Sequence, residues 1–116
     1  NAVRARYGAC VITGTLLTDE QAWPWVEACH IDTRENEQGF LLDNSTDNGL
    51  FLRSDLQRLF ASKRLSIDPL SGSVHFRRTL QEDNTLLPFY QQLEGKVCAL
   101  WSQVPESTRQ RLSLKA

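Results

Sequence analysis

The sequence predicts an α+β fold, and three observations carry that prediction. Two short apolar runs, Trp25–Ile31 and Leu50–Leu52, have the composition of strands, and a long polar segment separates them. A helical pattern of apolar residues begins soon after the second run, at Ser54. This order predicts an antiparallel ribbon in front of a helix as the central unit. A chain of 116 residues, 41% hydrophobic and 23% charged, suffices for one globular domain with a modest core.

The N-terminal part of the chain is expected to contribute one further strand. Cys10–Thr13 is apolar and β-branched and is followed by Gly14, as at the end of a short strand. Pro24 marks the entrance to the strand at Trp25–Ile31. The next residues, Asp32–Asp47, are rich in Asp, Asn, Glu and Gly, which indicates a long loop. Long loops inside compact domains are often functional.

The helix after the second strand carries its own start signal. Ser54 and Gln57 have the spacing of a capping box, in which two side chains satisfy the first free N–H groups of a helix. Leu56, Leu59 and Phe60 recur at the spacing of one apolar helical face. We therefore predict a helix that begins at Ser54 and buries these three side chains.

The rest of the chain alternates β-rich and helical segments. Leu65–Ile67 and Val74–Phe76 flank a turn rich in Pro, Ser and Gly, which predicts a β-hairpin. Three further elements are expected: a helix that stops before a glycine, a strand, and a final helix with proline in its first turn, at Leu86–Leu93, Lys96–Trp101 and Pro105–Leu112.

Composition excludes several classes of protein. No apolar run reaches the roughly 20 residues that a membrane span needs, and no signal-peptide pattern opens the chain. The three cysteines, Cys10, Cys29 and Cys98, are odd in number and widely spaced, which fits neither a disulfide framework nor a structural zinc site. We expect a cytoplasmic setting, no membrane partner, and thiols that pack as small apolar groups.

The charge distribution leaves two alternatives open. A net charge of −1 argues against an indiscriminate nucleic-acid binder. However, Arg53, Arg58, Lys63 and Arg64 cluster around the predicted helix at Ser54. They form either a patch that faces phosphates or part of a solvated surface of mixed charge.

Two polar residues, one near the end of the first predicted strand and one before the second, can be interpreted only from the surrounding sequence. A lone histidine such as His30 is more often structural than catalytic, and Asn48-Gly49 is a good turn dipeptide. The context consists of four blocks, CVITG, EACHI, NGLFLRSDLQRLF and RLSID, at Cys10–Gly14, Glu27–Ile31, Asn48–Phe60 and Arg64–Asp68. In this order they resemble bacterial HNH nucleases with the pattern CxITG, EAAHI, NGLLLRxDLHRLF and LISID.

The resemblance covers residues 10–80 and implies a ββα-metal core with an added β-hairpin and C-terminal helices. Residues 81–116 would form a support region within the same domain. By position, His30 matches the general base that activates water. Asn48 matches the residue that orients this histidine or tightens the loop around it. Gln57 replaces a metal-binding histidine, and Glu27 is either a ligand of the metal or a supporting group beside it.

The resemblance further implies a metal-dependent endonuclease that hydrolyses DNA phosphodiester bonds. The expected cofactor is a divalent ion, Mg²⁺ with Mn²⁺ or Ni²⁺ as alternatives, and no structural zinc is expected. Binding should be weak, because a glutamine carboxamide offers one neutral oxygen where the family has an imidazole. The basic residues at 53, 58, 63 and 64 would contact the DNA backbone without sequence choice.

Several wider expectations accompany the resemblance. The main alternative function is a catalytically degenerate HNH domain that acts as a DNA- or protein-binding module. A third interpretation is that the glutamine at position 57 was introduced by mutagenesis to trap an otherwise active enzyme. Because the sequence contains no methionine, we expect a domain excised from a longer protein whose other domains assist it. Restriction, toxin and defence effectors use such domains, and a homodimer is compatible with this family.

Overall fold

Two antiparallel strands followed directly by a helix form the centre of the fold. The computed structural model describes residues 2–15, 25–78 and 87–115, and in these parts the chain is α+β. The helices and strands lie, in chain order, at α1 Ala2–Tyr7, β1 Val26–His30, β2 Gly49–Arg53, α2 Ser54–Ala61, β3 Leu65–Ile67, β4 Val74–Phe76, α3 Pro88–Leu93 and α4 Glu106–Lys115. Short 3-10 helices occupy Thr46–Asn48 and Trp101–Gln103.

The pairing of β1 with β2 fixes which side chains share a face. The register is one-to-one from Val26 opposite Arg53 to His30 opposite Gly49, without a bulge. Because side chains alternate along a strand, Glu27 lies on the face of Leu52, and His30 lies on the other. The apolar pair Cys29 and Leu50 is buried on the first face.

The helix α2 begins at Ser54, as its sequence predicts, but it is capped differently. Arg53 occupies the N-cap position and makes no side-chain cap hydrogen bond, so Ser54 and Gln57 do not form the expected capping box. Leu56 and Phe60 are buried and Leu59 packs against them, which confirms the apolar face. The Ser54 hydroxyl instead donates to the Glu27 carboxylate across 3.3 Å.

The predicted strand at Cys10–Thr13 is wrong. This segment forms a turn, in which the Gly14 N–H donates to the Cys10 carbonyl at 2.8 Å and Gly14 has φ of +72°. Cys10 and Val11 are both fully buried. The apolar composition that suggested a strand reflects this burial. The Val11 N–H donates to the Phe51 carbonyl of β2, but this single bond does not form a strand ladder.

The predicted strand at Lys96–Trp101 is also wrong. Val97 forms an isolated bridge with Ser73, and the following residues turn into the 3-10 helix at Trp101–Gln103. The Trp101 N–H donates to the Cys98 carbonyl at 3.1 Å, a local bond that an extended strand does not make. Burial of Cys98 explains part of the apolar character that suggested a strand.

The sequence prediction missed α1. Its Val3 packs closely over Gly49 of β2, and its last residue, Tyr7, is buried in the core. A six-residue helix with two arginines has no strong periodicity of its own, so its stability comes from these contacts.

The C-terminal elements complete the same core. β3 and β4 pair antiparallel in register from Leu65 opposite Phe76 to Ile67 opposite Val74. The helix expected at Leu86–Leu93 is α3, and Leu86 itself lies outside the described residues. The final helix is α4, which inserts Leu112 into the cluster of buried side chains. Among the helices described, none is long and apolar enough to cross a membrane.

Candidate functional site

His30 is the last residue of β1 and its side chain is exposed. It lines a surface cavity of about 300 Å³ together with Ala2 and Val3 of α1 and residues 44–46 of the loop. Within the parts of the chain that the structure describes, no hydrogen bond or ion pair involves its ring nitrogens. The imidazole is therefore accessible to solvent, and none of the described residues is bonded to it.

Asn48 is fully buried and joins the two ends of the loop that follows His30. Its Oδ1 accepts a hydrogen bond from the Asp32 N–H at 2.8 Å. Its Nδ2 donates to the carbonyls of Asp32 at 2.9 Å and Asp43 at 2.8 Å. The Asn48 carbonyl also accepts a bond from the Ile31 N–H. Both amide protons are thus bonded to the loop backbone, and neither is bonded to the His30 ring.

Two arginines outside the loop form ion pairs with acidic residues in its C-terminal part. Arg111 of α4 donates from Nε to the Asp43 carboxylate at 2.6 Å, and it also bonds Ser45 and Ser107. This guanidinium, together with Ser45, lowers the pKa of Asp43 to about 2. Arg6 of α1 forms an ion pair with Asp47 at 2.9 Å. Sequence reasoning missed both arginines; the only signal was the excess of acidic residues in the loop.

Glu27 of β1 contacts the start of α2, and Gln57 lies in that helix. Glu27 accepts the bond from Ser54, and Gln57 is one helical turn farther along the helix. Glu27 is three residues from His30 in a strand with regular pairing, so their side chains point to opposite faces. The cavity that His30 lines is not lined by Glu27 or Gln57. The structure thus brings Glu27 to the start of α2, and His30 lies on the other face of β1.

Comparison with known proteins assigns the central segment of the chain to a family. A family model described as HNH endonuclease matches residues 10–68, which is half of the chain. The chain belongs to the HNH endonuclease family. A search of curated proteins finds no match. The matched segment includes β1, β2, α2 and β3, and therefore the ribbon-and-helix unit that carries His30, Asn48 and Gln57.

HNH nucleases generally use a divalent metal, so the donor set here bears on function. Across residues 2–15, 25–78 and 87–115, no group of three or more His, Cys, Asp or Glu side chains could hold a metal ion. Glu27 and Gln57 together offer one carboxylate and one carboxamide. Mg²⁺ prefers six oxygens in near-octahedral geometry. The described residues therefore do not fit a metal centre built by the protein alone.

Cys29 precedes His30 but is unsuited to a role in the chemistry. It is buried, and this burial raises the pKa of its thiol to about 12. A protonated thiol packed beside Leu50 is neither a nucleophile nor a ligand for a hard cation. Like Cys10 and Cys98, it is a free buried cysteine that fills the core.

The basic residues predicted to contact DNA divide into two groups. Arg53 is engaged within the HNH unit: it forms a two-pronged ion pair with Asp55, at 2.8 and 2.6 Å, and lies 4.4 Å above the Phe89 ring. The same carboxylate accepts a bond from the Tyr90 hydroxyl at 2.6 Å. The three other basic residues are exposed at and beyond the C-terminal half of α2, at Arg58, Lys63 and Arg64.

Proposed function

We propose that the chain is an HNH endonuclease domain that hydrolyses DNA phosphodiester bonds, with His30 as the general base. The observation that supports this most directly is the exposed and uncommitted imidazole at the end of β1, inside the segment that matches the family. Histidine suits this task because its unperturbed pKa lies near neutral pH. The cavity of about 300 Å³ beside it offers space for a water molecule and a phosphate.

In the proposed reaction, His30 removes a proton from water as the oxygen attacks phosphorus. The bond from phosphorus to the 3′ oxygen breaks, which leaves a 5′ phosphate and a 3′ hydroxyl once that oxygen gains a proton. Asn48 acts indirectly, because its bonds to Asp32 and Asp43 hold the backbone next to His30. Arg58, Lys63 and Arg64 supply the positive charge that attracts the DNA backbone. A homodimer and further domains of a parent protein are compatible with this role.

Metal dependence is a separate proposal. Glu27 and Gln57 are the side chains that we propose as contacts for a weakly held divalent ion, Mg²⁺ first and Mn²⁺ or Ni²⁺ next. Water and substrate phosphate oxygens would have to complete the coordination, since Mg²⁺ commonly keeps several waters. The proton transfer at His30 does not depend on this assignment.

The alternative function is a degenerate HNH domain that binds DNA or protein without turnover. The glutamine at position 57 favours it, together with the lack of a three-ligand acidic, histidine or cysteine group in the described residues. This alternative and the leading proposal agree on the fold, and they share DNA as a partner unless the degenerate domain binds protein instead. They differ in whether phosphodiester bonds are cut.

Plasmid nicking in Mg²⁺, Mn²⁺ or Ni²⁺ separates the two functions. We expect the unmodified chain to nick slowly and His30→Ala to lose at least about 100-fold in rate, as removal of a general base does. His75→Ala is the matched control, since His75 is also exposed but lies on β4 and contacts Glu94. Gln57→His should increase the metal-dependent rate.

The remaining outcomes discriminate clearly. If only Gln57→His cuts DNA, the unmodified chain is a disabled nuclease and the alternative holds. If His30→Ala cuts as fast as the unmodified chain, His30 is not the base. If His75→Ala falls as far as His30→Ala, the loss reflects a general effect on the fold rather than the chemistry.

A further inference from the structure

Two lysines from distant parts of the chain lie beside the same pair of cavities. Lys63 follows the C-terminus of α2, and Lys115 is the last residue of α4. Both line a cavity of about 410 Å³ next to β3 and a second cavity of about 210 Å³ next to the loop. The second cavity is also lined by Ile31, the residue after His30. Both lysines therefore line two cavities, and one of these cavities includes the residue that follows the proposed base in the chain.

Neither ammonium group has a carboxylate partner among the residues that the structure describes. The two carboxylates that line these cavities are already engaged. Asp32 accepts two bonds from the Arg34 side chain, at 2.9 and 2.6 Å. Asp68 accepts bonds from the backbone N–H groups of Leu70 and Ser71 in its own turn. Among the residues that the structure describes, neither of these carboxylates is paired with Lys63 or Lys115.

Lys115 is held close to its neighbours rather than extended into solvent. Its Nζ lies 4.8 Å above the Phe60 ring, which orients the charge by a cation–π contact. Burial and, to a smaller extent, the nearby charge of Lys63 lower the pKa of Lys115. Two cations that repel each other at a partly buried place gain stability when an anion binds between them.

The backbone of Lys63 is a second and independent observation. Its φ is +63°, and it is the residue after the C-cap of α2. The Lys63 N–H donates to the Phe60 carbonyl and the Arg64 N–H to the Leu59 carbonyl, as in a Schellman motif. Glycine is usual at this position because it adopts a positive φ without steric cost. Lysine therefore carries a steric cost at this position that glycine would avoid.

We propose that Lys63 and Lys115 together bind one phosphate of a DNA backbone, at a site separate from the phosphate that is cleaved. The inference rests on the proposed function for its choice of DNA as the ligand. It adds α4, which lies outside the segment that matches the family, to the surface that contacts DNA. Contacts of this kind fix the register of the duplex and carry no sequence information.

The test is binding of a short labelled DNA duplex to the full chain, measured by fluorescence anisotropy over a range of salt concentrations. His30→Ala is the background and no divalent metal is added, so that no cleavage occurs. Lys63→Gly and Lys115→Gln are compared with Lys96→Gln, which removes an exposed lysine near neither cavity. We expect each of the first two changes to weaken binding several-fold and to reduce the salt slope by about 1. Lys96→Gln should change neither.

Thermal unfolding of the same variants supplies a signature that a purely structural lysine would not give. Lys63→Gly should raise the Tm by a few degrees, because glycine relieves the strained φ, while DNA binding falls. Lys63→Asn, which also tolerates positive φ and lacks the charge, should weaken binding in the same way. A loss of affinity combined with equal or higher stability would support the phosphate site.

Different failures identify different errors. If Lys63→Gly and Lys115→Gln bind DNA as tightly as Lys96→Gln does, the phosphate site is wrong, whether or not the chain cuts DNA. If the background chain binds no DNA even at low salt, the phosphate site and the proposed function both fail. If binding depends on both lysines but nicking never occurs, the phosphate site is supported and the nuclease proposal is not.

Discussion

The buried amide of Asn48 holds the backbone next to His30 without a bond to the His30 ring. It accepts a bond from the Asp32 N–H and donates to the Asp32 carbonyl, so it pairs with that residue much as a neighbouring strand would. Its second donated bond reaches Asp43 at the other end of the loop. The sequence resemblance left two roles open for Asn48, and these bonds are of the kind that tightens the loop.

Replacement of Asn48 tests how much the loop depends on these bonds. Asn48→Ala leaves three backbone groups unpaired, and we expect a loss of about 2–4 kcal/mol in the free energy of unfolding. Asn48→Asp keeps the shape but aims a carboxylate at two carbonyl oxygens, so it should destabilise at least as much at neutral pH. Urea unfolding followed by circular dichroism measures both. Equal stability of Asn48→Asp and the unmodified chain would contradict the assigned bonds.

Asp43 makes stability depend on pH. Its folded pKa of about 2 lies below the usual value for aspartate, so its contribution is complete above about pH 4 and is lost as pH falls toward 2. Asp55, with a pKa of about 2 beside Arg53, acts in the same pH window. We therefore expect Asp43→Asn to be less stable at neutral pH and to lose less on acidification. Urea midpoints between about pH 2 and pH 6 measure this.

The control for this pH effect is a second carboxylate variant. Asp43→Asn/Asp55→Asn should have a flatter profile across the window than either single variant, since both depressed carboxylates are gone. A profile for Asp43→Asn parallel to that of the unmodified chain would mean that its ion pair with Arg111 does not persist in solution.

At the scale of elements, α1 is joined to the ribbon by one close approach. Gly49 of β2 has no side chain, and Val3 of α1 occupies the space where a Cβ would lie. Gly49→Ala should therefore displace α1 and cost about 1–3 kcal/mol, as overpacking does. Val3→Ala removes the overlapping methyl groups. In a double-mutant cycle, Val3→Ala should cost less, or even stabilise, when Gly49 is already alanine.

The outcome of this cycle also bears on His30, which shares its cavity with Val3. Additive effects of the two substitutions would contradict the contact. If the two substitutions are coupled because Gly49→Ala displaces α1, the Gly49→Ala variant should nick DNA more slowly. The rate should recover in the variant that also carries Val3→Ala.

Elements whose signal is local could be predicted from the sequence, whereas elements shaped by distant contacts could not. The apolar face of α2 and the strand at β1 depend on their own periodicity and were placed within a residue or two. Cys10–Thr13 failed because burial by the rest of the fold, rather than strand pairing, selects its apolar residues. α1 failed because its stability derives from Gly49 and other tertiary partners.

At the scale of the whole molecule, the segment that matches the HNH family is not a complete structural unit. Residues after 68 supply parts of the common core, including Val74, Cys98, Val104 and Leu112. They also supply Tyr90, which bonds Asp55 at the start of α2, and Arg111, which bonds the loop. The C-terminal region thus contacts both the start of α2 and the loop that follows β1.

A fragment of residues 10–68 should consequently fail to fold. We expect no cooperative thermal transition by circular dichroism and poor dispersion of amide signals in NMR spectra, because the buried face of α2 loses its partners. The full chain, at the same concentration and temperature, is the control. A cooperative transition in the fragment would show that the later residues are dispensable for the fold.

The candidate site was predictable only in part for the same reason. His30 at a strand end and Asn48 before the next strand follow from local pattern and family resemblance. The ion pairs of Arg111 with Asp43 and of Arg6 with Asp47 join residues 68 and 41 positions apart. Such pairs have no signature in local sequence. The same holds for the cation–π contact between Arg53 and Phe89, which the sequence did not predict.

Two sets of hydrogen bonds join the ends of the loop that follows β1, and they have a consequence for protein engineering. The Asn48 amide and the bond from Ile31 to the Asn48 carbonyl close the loop before its tip begins. The tip forms its own turn, in which the Asn36 carboxamide accepts the N–H groups of Gln38 and Phe40. We therefore expect a change in the conformation of the tip to leave the backbone of β1 in place. Residues 36–40 offer an insertion point for a foreign peptide or a fluorescent label that leaves the His30 strand in place.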